Sequence, residues 1–260
     1  MTESKGLSGT VLKTAAIAAM LLDHIGASLV QPFLTKAAVA AGVTSWTTSS
    51  LLSACPKQAI PYYLLRYIGR IAFPIFCFLL IEGFLHTRNL NKYCVRLAAF
   101  ALISEIPFDL AFHRSLYYPN AQNVFFTLLI GLLTIRGFAW AETFFAEKKA
   151  AQAFFRLLFL LFGMGAALYL KTDYDYIGVL VIAALYEFRK NRIISVSLAS
   201  VILCLMSPLE ITAFAAVPLI SRYNGKRSSA PEGVFFKYFF YLFYPVHLFL
   251  LYLAGFLILP

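Results

Sequence analysis

Charge is scarce in this chain. Of 260 residues, 13% are Asp, Glu, Lys or Arg and 61% are hydrophobic, and the mean hydropathy is +0.77. A soluble domain could not hide that much apolar surface. Repeated apolar runs of roughly 15–22 residues instead fit a bilayer core about 30 Å thick. Cysteine is rare as well. Cys55, Cys77, Cys94 and Cys204 show no C-x-x-C spacing, and three lie in or near apolar runs. Neither a zinc site nor a disulfide framework is expected, and no metal is called for. The first apolar segment lacks a small-residue cleavage pattern and is full length, so it reads as an anchor. Acidic residues number 12 against 22 basic ones, a net charge of +10. In a membrane protein, basic residues collect in cytoplasmic loops, so this excess calls for no nucleic-acid partner.

What is present is an all-α pattern. Backbone groups in lipid must be paired internally, so the runs should be helices. About nine spans are expected: 12–31, 61–84, 92–112, 122–140, 153–170, 175–188, 192–206, 208–221 and 236–258. The sixth to eighth are short and fit tilted or half-inserted segments. Alternating the connections puts most basic residues on one side, among them Lys13, Arg88, Lys92, Arg96, Lys148, Lys149, Arg189, Lys190, Lys226 and Arg227. The other side holds only Lys36, Lys57, Arg114 and Lys171. That asymmetry predicts the N-terminus inside and the C-terminus outside. Segment 32–60, rich in Ser, Thr and Ala, reads as the longest outer loop, and 222–235 as a turn-rich inner loop. No internal repeat is visible, so residues 1–260 read as one integral-membrane domain.

Ionisable groups inside spans are costly and are functional candidates by default. Asp23 and His24 fall near the middle of the first span. Arg66 and Arg70 share a face of the second, and Glu105 and Asp109 share a face of the third. Counting about 1.5 Å per residue along antiparallel helices levels Arg66 with Asp109 and Arg70 with Glu105, which predicts a paired ladder. Lys13 and His24, eleven residues apart, lie within about 20° on one face, while Asp23 points about 100° away from His24. Gln122 and Asn123 open the fourth span, Asp173 and Asp175 flank the sixth, and His247 sits mid-span after Pro245. Glu82, His86, Arg88, Lys92 and Arg96 gather at the inner end of the second and third spans.

Seven stretches carry a resemblance. They are MLLDHIG (20–26), RYIGRIAFPIFCFLLIEGFLHTRN (66–89), RLAAFALISEIPFDLAF (96–112), QNVFFTLLIGLL (122–133), DYIGVL (175–180), YNGKR (223–227) and FYPVHLFLL (243–251). Together they resemble the TraX family, integral-membrane proteins named for an F-type conjugative pilin N-acetylase. More distantly, Lys13 before His24 and the late Tyr244-Pro245-x-His247 are similar to the wider transmembrane acyltransferase superfamily. The resemblance implies acetyl transfer in the bacterial cytoplasmic membrane. The donor would be cytoplasmic acetyl-CoA. The acceptor would be an amine or hydroxyl at the outer side, on a peptide N-terminus, a polysaccharide or a small molecule, with membrane lipid around the protein.

That chemistry needs a base near neutral pH and donors for an oxyanion. His24 is expected as base or transient acyl carrier. Arg70, Asn123 or His247 would steady the oxyanion, and Asp23 would pack helices or bind substrate. Glu105 and Asp109 would receive an acceptor amine or orient the arginines. Lys13, His86, Arg88, Lys92, Lys226 and Arg227 would hold the CoA end. Two other readings remain open from the residues alone: a proton-coupled carrier, since buried Asp, Glu and His also build proton relays, and a non-catalytic membrane assembly factor.

Overall fold

The computed structural model describes residues 6–226 and 234–258, the side chains of 234–237 excepted. Among the described residues the chain is all-helical, relieved by two isolated bridges, Leu7 with Tyr223 and Gln122 with Thr172. Helix α1 (Gly9–Ile25) runs through a widened π-helical turn (Gly26–Val30) into α2 (Gln31–Ala40). Then come α3 (Thr48–Ala54), α4 (Pro56–Gly69), α5 (Ala72–His86), α6 (Leu90–His113), α7 (Val124–Phe144) and α8 (Lys149–Leu170). Shorter pieces follow: α9 (Asp175–Glu187), α10 (Arg192–Cys204), a 3-10 segment (Pro208–Ala215) and α11 (Ala216–Ser221), before α12 (Val234–Ile258).

This is a membrane-type bundle. Among the described residues, Gly9–Ala40, Pro56–His86, Val124–Phe144, Lys149–Leu170 and Tyr238–Ile258 are long and apolar enough to cross a bilayer. Helix α6 is 24 residues long but carries Lys92, Arg96, Glu105 and Asp109. Helices α9 and α10 have 13 residues each, which gives about 20 Å, short of a core about 30 Å thick. Instead α9 fills the interior, with Val179, Val181, Ile182, Leu185 and Tyr186 buried. Helix α8 lies outermost and exposes Phe154, Leu157, Leu161 and Phe162, a stripe suited to lipid.

Two sequence expectations change. Segment 32–60 is not a long loop: α2, α3 and the start of α4 pack around their own small core of Leu34, Ala38, Leu51, Cys55 and Ala59. Alanine keeps full helix propensity while contributing little hydropathy, so these helices read as loop. The second span, expected unbroken over 61–84, divides at Arg70 and Ile71. Pro74 lacks an N–H, and its ring crowds the carbonyl four residues earlier, at Arg70. Helix α4 therefore ends with the Arg70 N–H on the Arg66 carbonyl at 3.3 Å, and α5 restarts at Ala72. The break leaves the Arg70 side chain at a helix end inside the bundle.

Side-chain caps start the other helices where the sequence offers them. Ser8, Asn89, Asn123 and Asn191 each accept a backbone N–H in the first turn of α1, α6, α7 and α10. The YNGK stretch has a structural task. The Leu7 N–H donates to the Arg222 carbonyl (2.8 Å), Asn224 N–H to Leu7 (2.9 Å) and Gly9 N–H to Lys226 (2.8 Å). Gly225 supplies the left-handed turn at φ 77°. This backbone clasp pins the start of α1 to the bundle.

Candidate functional site

Asp23 turns away from His24, as the helical rotation requires, and meets α4. Arg66 Nη1 donates to its Oδ2 at 2.7 Å, and Arg70 Nη2 donates to its Oδ1. Arg70 Nη1 reaches Glu210 Oε1 at 2.8 Å. The Arg66–Asp109 and Arg70–Glu105 ladder does not form. Counting levels along two helices ignored a third carboxylate at similar depth, on α1, and a fourth on the 3-10 segment. Asp109 instead accepts the Tyr118 N–H at 2.8 Å and closes the loop after α6. Glu105 accepts the backbone N–H of Asn123 at 3.3 Å. Glu210 was missed; its signal is a lone acid inside the apolar run 208–221. Gly69 makes room for Asp23, because a Cβ there would overlap the aspartate side chain. Gly69→Ala should therefore lose about 1–3 kcal/mol, read as a lower melting temperature in detergent. An unchanged melting temperature would mean that Asp23 gives way freely and the cluster is soft.

The histidines form a pair. His24 Nδ1 lies 2.7 Å from His247 Nε2, and His247 Nδ1 lies 2.7 Å from the Phe243 carbonyl. A carbonyl only accepts, so His247 Nδ1 carries hydrogen, and in a neutral ring its Nε2 must then accept. His24 Nδ1 therefore donates, and its Nε2 keeps the lone pair. This hydrogen-bond network assigns the tautomers. Edge contacts from Phe112 and Tyr244, with centroids at 5.3 and 5.9 Å, hold the His24 ring. Directly after it comes the π-helical turn, where Ser28 Oγ donates to the His24 carbonyl at 2.7 Å. Such turns are frequent at functional sites. His247 has both ring nitrogens committed, which leaves it orienting His24 rather than serving as a free oxyanion donor.

Two cavities meet beside this pair. The larger, about 770 Å³, is lined by His24, Asp23, Arg66, Arg70, Asp173 and Tyr174, with Gln31, Thr35 and Lys36 of α2 at its rim. In the turn between α8 and α9, burial raises the Asp173 carboxyl to about 6 against the pull of Arg70. The smaller, about 420 Å³, is lined by Lys13, Glu82, His86, Tyr93, Arg96 and Tyr241. Helix polarity sets them toward opposite ends: Lys13 opens α1 and His24 closes it, while α5 begins next to Arg70 and ends at His86. Met20, Phe76, Val124 and Tyr244 line both and form the septum between them.

Of the residues expected at a CoA end, Lys13 and His86 line the smaller cavity. Arg88, Lys92 and Lys226 are exposed and do not, and Arg227 lies outside the described residues. Lys226 contributes its backbone to the clasp on α1. Arg96 belongs to the inner basic cluster whose residues could grip a phosphorylated cofactor, each more simply read as a topology charge. Its guanidinium lies over both Tyr93 and Tyr241, 5.3 Å from each ring, and its Nε is buried without a hydrogen-bond partner. The Tyr93-x-x-Arg96 spacing, three residues along one face, was the available signal. Asn123 does not serve as an oxyanion donor: it is fully buried, its Nδ2 donates to the Ala101 carbonyl (2.8 Å), and its Oδ1 caps the Phe125 N–H (3.0 Å).

Comparison with known proteins gives two matches. The family model described as "TraX protein" matches residues 8–254. A curated protein of Dichelobacter nodosus, "Probable fimbrial assembly protein FimC, serogroup H1", is 32% identical over 275 residues, covering 96% of this chain and 97% of its own length. No solved structure matches.

Proposed function

The chain belongs to the TraX family, and on that premise we propose that it is an acetyltransferase of the bacterial cytoplasmic membrane. It takes acetyl from cytoplasmic acetyl-CoA and passes it to an amine or hydroxyl at the outer side. The fimbrial-assembly name of the Dichelobacter nodosus relative makes a peptide amine of a fimbrial subunit the first acceptor to try. The observation that carries the reading is the pair of cavities, facing opposite ends and meeting at a septum beside a histidine whose Nε2 is held free. The smaller cavity faces the cytoplasm, on the side of the basic loops at Arg88, Lys92, Lys148, Lys149, Arg189 and Lys190. There Arg96, braced by two tyrosines, and Lys13 hold the phosphates and adenine of the donor. The thioester end of the donor reaches the septum, where His24 Nε2, on the larger-cavity side, takes the proton from the acceptor as it attacks the thioester carbon. His247 keeps the His24 tautomer and shares the positive charge. His24 then returns the proton to the departing CoA sulfur.

The test is calorimetric titration of acetyl-CoA into the purified protein in detergent. Saturable binding is expected, and Arg96→Ala should weaken it at least about tenfold, or about 1.4 kcal/mol. If folded wild-type protein binds no acetyl-CoA, acetyl transfer is excluded and a non-catalytic assembly role takes its place.

A further inference from the structure

Acyl transfer through a tetrahedral intermediate needs a hydrogen-bond donor at the point where negative charge appears on the carbonyl oxygen. The donors expected from sequence are committed elsewhere. Asn123 caps α7, Arg70 is clamped between Asp23 and Glu210, and His247 holds His24. One hydroxyl lining both cavities is not committed. Tyr244 is 3% exposed, and its oxygen makes no hydrogen bond within ordinary limits. A buried phenol left unpartnered costs stability, and such groups call for an explanation. Its position supplies one. Tyr244 lines both cavities, and its ring lies 5.9 Å from the His24 ring.

The start of α7 adds to this. Asn123 Oδ1 takes the Phe125 N–H, and the Asn123 carbonyl takes the Phe126 N–H. The Tyr244 ring packs on Phe125, 5.1 Å between centroids, which sets it beside the positive end of a 21-residue helix. A positive helix end beside the hydroxyl favours negative charge on an oxygen held there.

We infer that the Tyr244 hydroxyl, beside the start of α7, is the oxyanion donor at the septum. The assignment rests on the acetyl-transfer reading. As the acceptor nitrogen or oxygen bonds to the thioester carbon, the carbonyl electron pair moves to oxygen and Tyr244 donates to it. When the intermediate collapses, the C=O bond re-forms and the C–S bond breaks. His24 gives the sulfur the proton taken from the acceptor, and Tyr244 keeps its own.

The experiment uses the full chain in proteoliposomes with acetyl-CoA on the basic-loop side and a short synthetic peptide bearing a free N-terminal amine on the other. Acetylated peptide and free CoA thiol are measured together. Tyr244→Phe keeps the ring and its packing on Phe125, so folding and acetyl-CoA binding should hold. Its kcat should fall about 10²–10³-fold with the peptide KM within twofold of wild type. Fluorotyrosine at position 244 should shift kcat with the acidity of the phenol, which a packing role would not do. If wild type transfers acetyl and Tyr244→Phe matches it, the oxyanion assignment is wrong and the acetyl-transfer reading stands. If wild type binds acetyl-CoA but yields neither product, it is the acetyl-transfer reading that fails.

Discussion

His24→Ala is expected to lower acetyl transfer by about 10²–10⁴-fold, the range over which general acid–base groups act. The fall should appear in kcat, because His24 lies across the septum from the cavity assigned to the donor. Acetyl-CoA binding by His24→Ala should stay within twofold of wild type. The loss should exceed that of His247→Ala, since His247 supplies the acceptor that fixes the His24 tautomer and not the reacting nitrogen. Loss of such an orienting partner typically costs about 10–100-fold. The two substitutions should also be far from additive, because they act through one hydrogen bond. Steady-state transfer in proteoliposomes, with binding measured alongside, decides the matter. Full activity in His24→Ala would remove the histidine from the chemistry, as base and as acyl carrier.

Arg70→Ala is expected to cost about 3–5 kcal/mol, the penalty for deleting one member of a buried ion pair. It should lower the melting temperature in detergent by about 10 °C for a chain of this size. Arg70 bridges Asp23 of α1 to Glu210 of the 3-10 segment, and both carboxylates are buried. Without the arginine, Glu210 loses its ion-pair partner while Asp23 keeps Arg66. Arg70→Lys should recover only part of the loss, since one ammonium cannot present the planar fork that reaches two carboxylates. Removing charge on both sides, as Arg70→Met with Glu210→Gln, should be milder than Arg70→Ala alone. A double variant as unstable as the sum of its parts would mean that the pair does not couple.

The sequence made the candidate site residues visible more readily than their partners. Charge inside apolar runs singled out Asp23, His24, Arg66, Arg70 and His247, and the structure brings all five into or against one region. Helical rotation separated the directions of Asp23 and His24, and they do engage different partners. Depth counting then failed, because it compares two helices at a time. Arg66 and Arg70 had carboxylates within reach on α1, α6 and the 3-10 segment, and only the crossing of the helices selects among them. Pro74 held the clue to the break at Arg70, four residues earlier. Arg96 and Tyr244 were named in the sequence, one in the inner basic cluster and one in the Tyr-Pro-x-His stretch, but not singled out, for a different reason. Each is an ordinary residue for its place, a loop-proximal arginine and a tyrosine in an aromatic helix, until the opposing walls are known.

The four side chains shared by the two cavities have an electrical consequence. Met20 and Phe76 are apolar, Val124 is branched, and Tyr244 offers one hydroxyl. Such a wall offers ions no continuous file of ligands. On the proposed reading, a membrane that stores energy as a voltage is expected to carry this protein without being discharged. Widening the partition, for instance with Phe76→Ala, is expected to raise an ion leak that a voltage-sensitive dye would register; an unchanged dye signal would mean that Phe76 does not seal the wall.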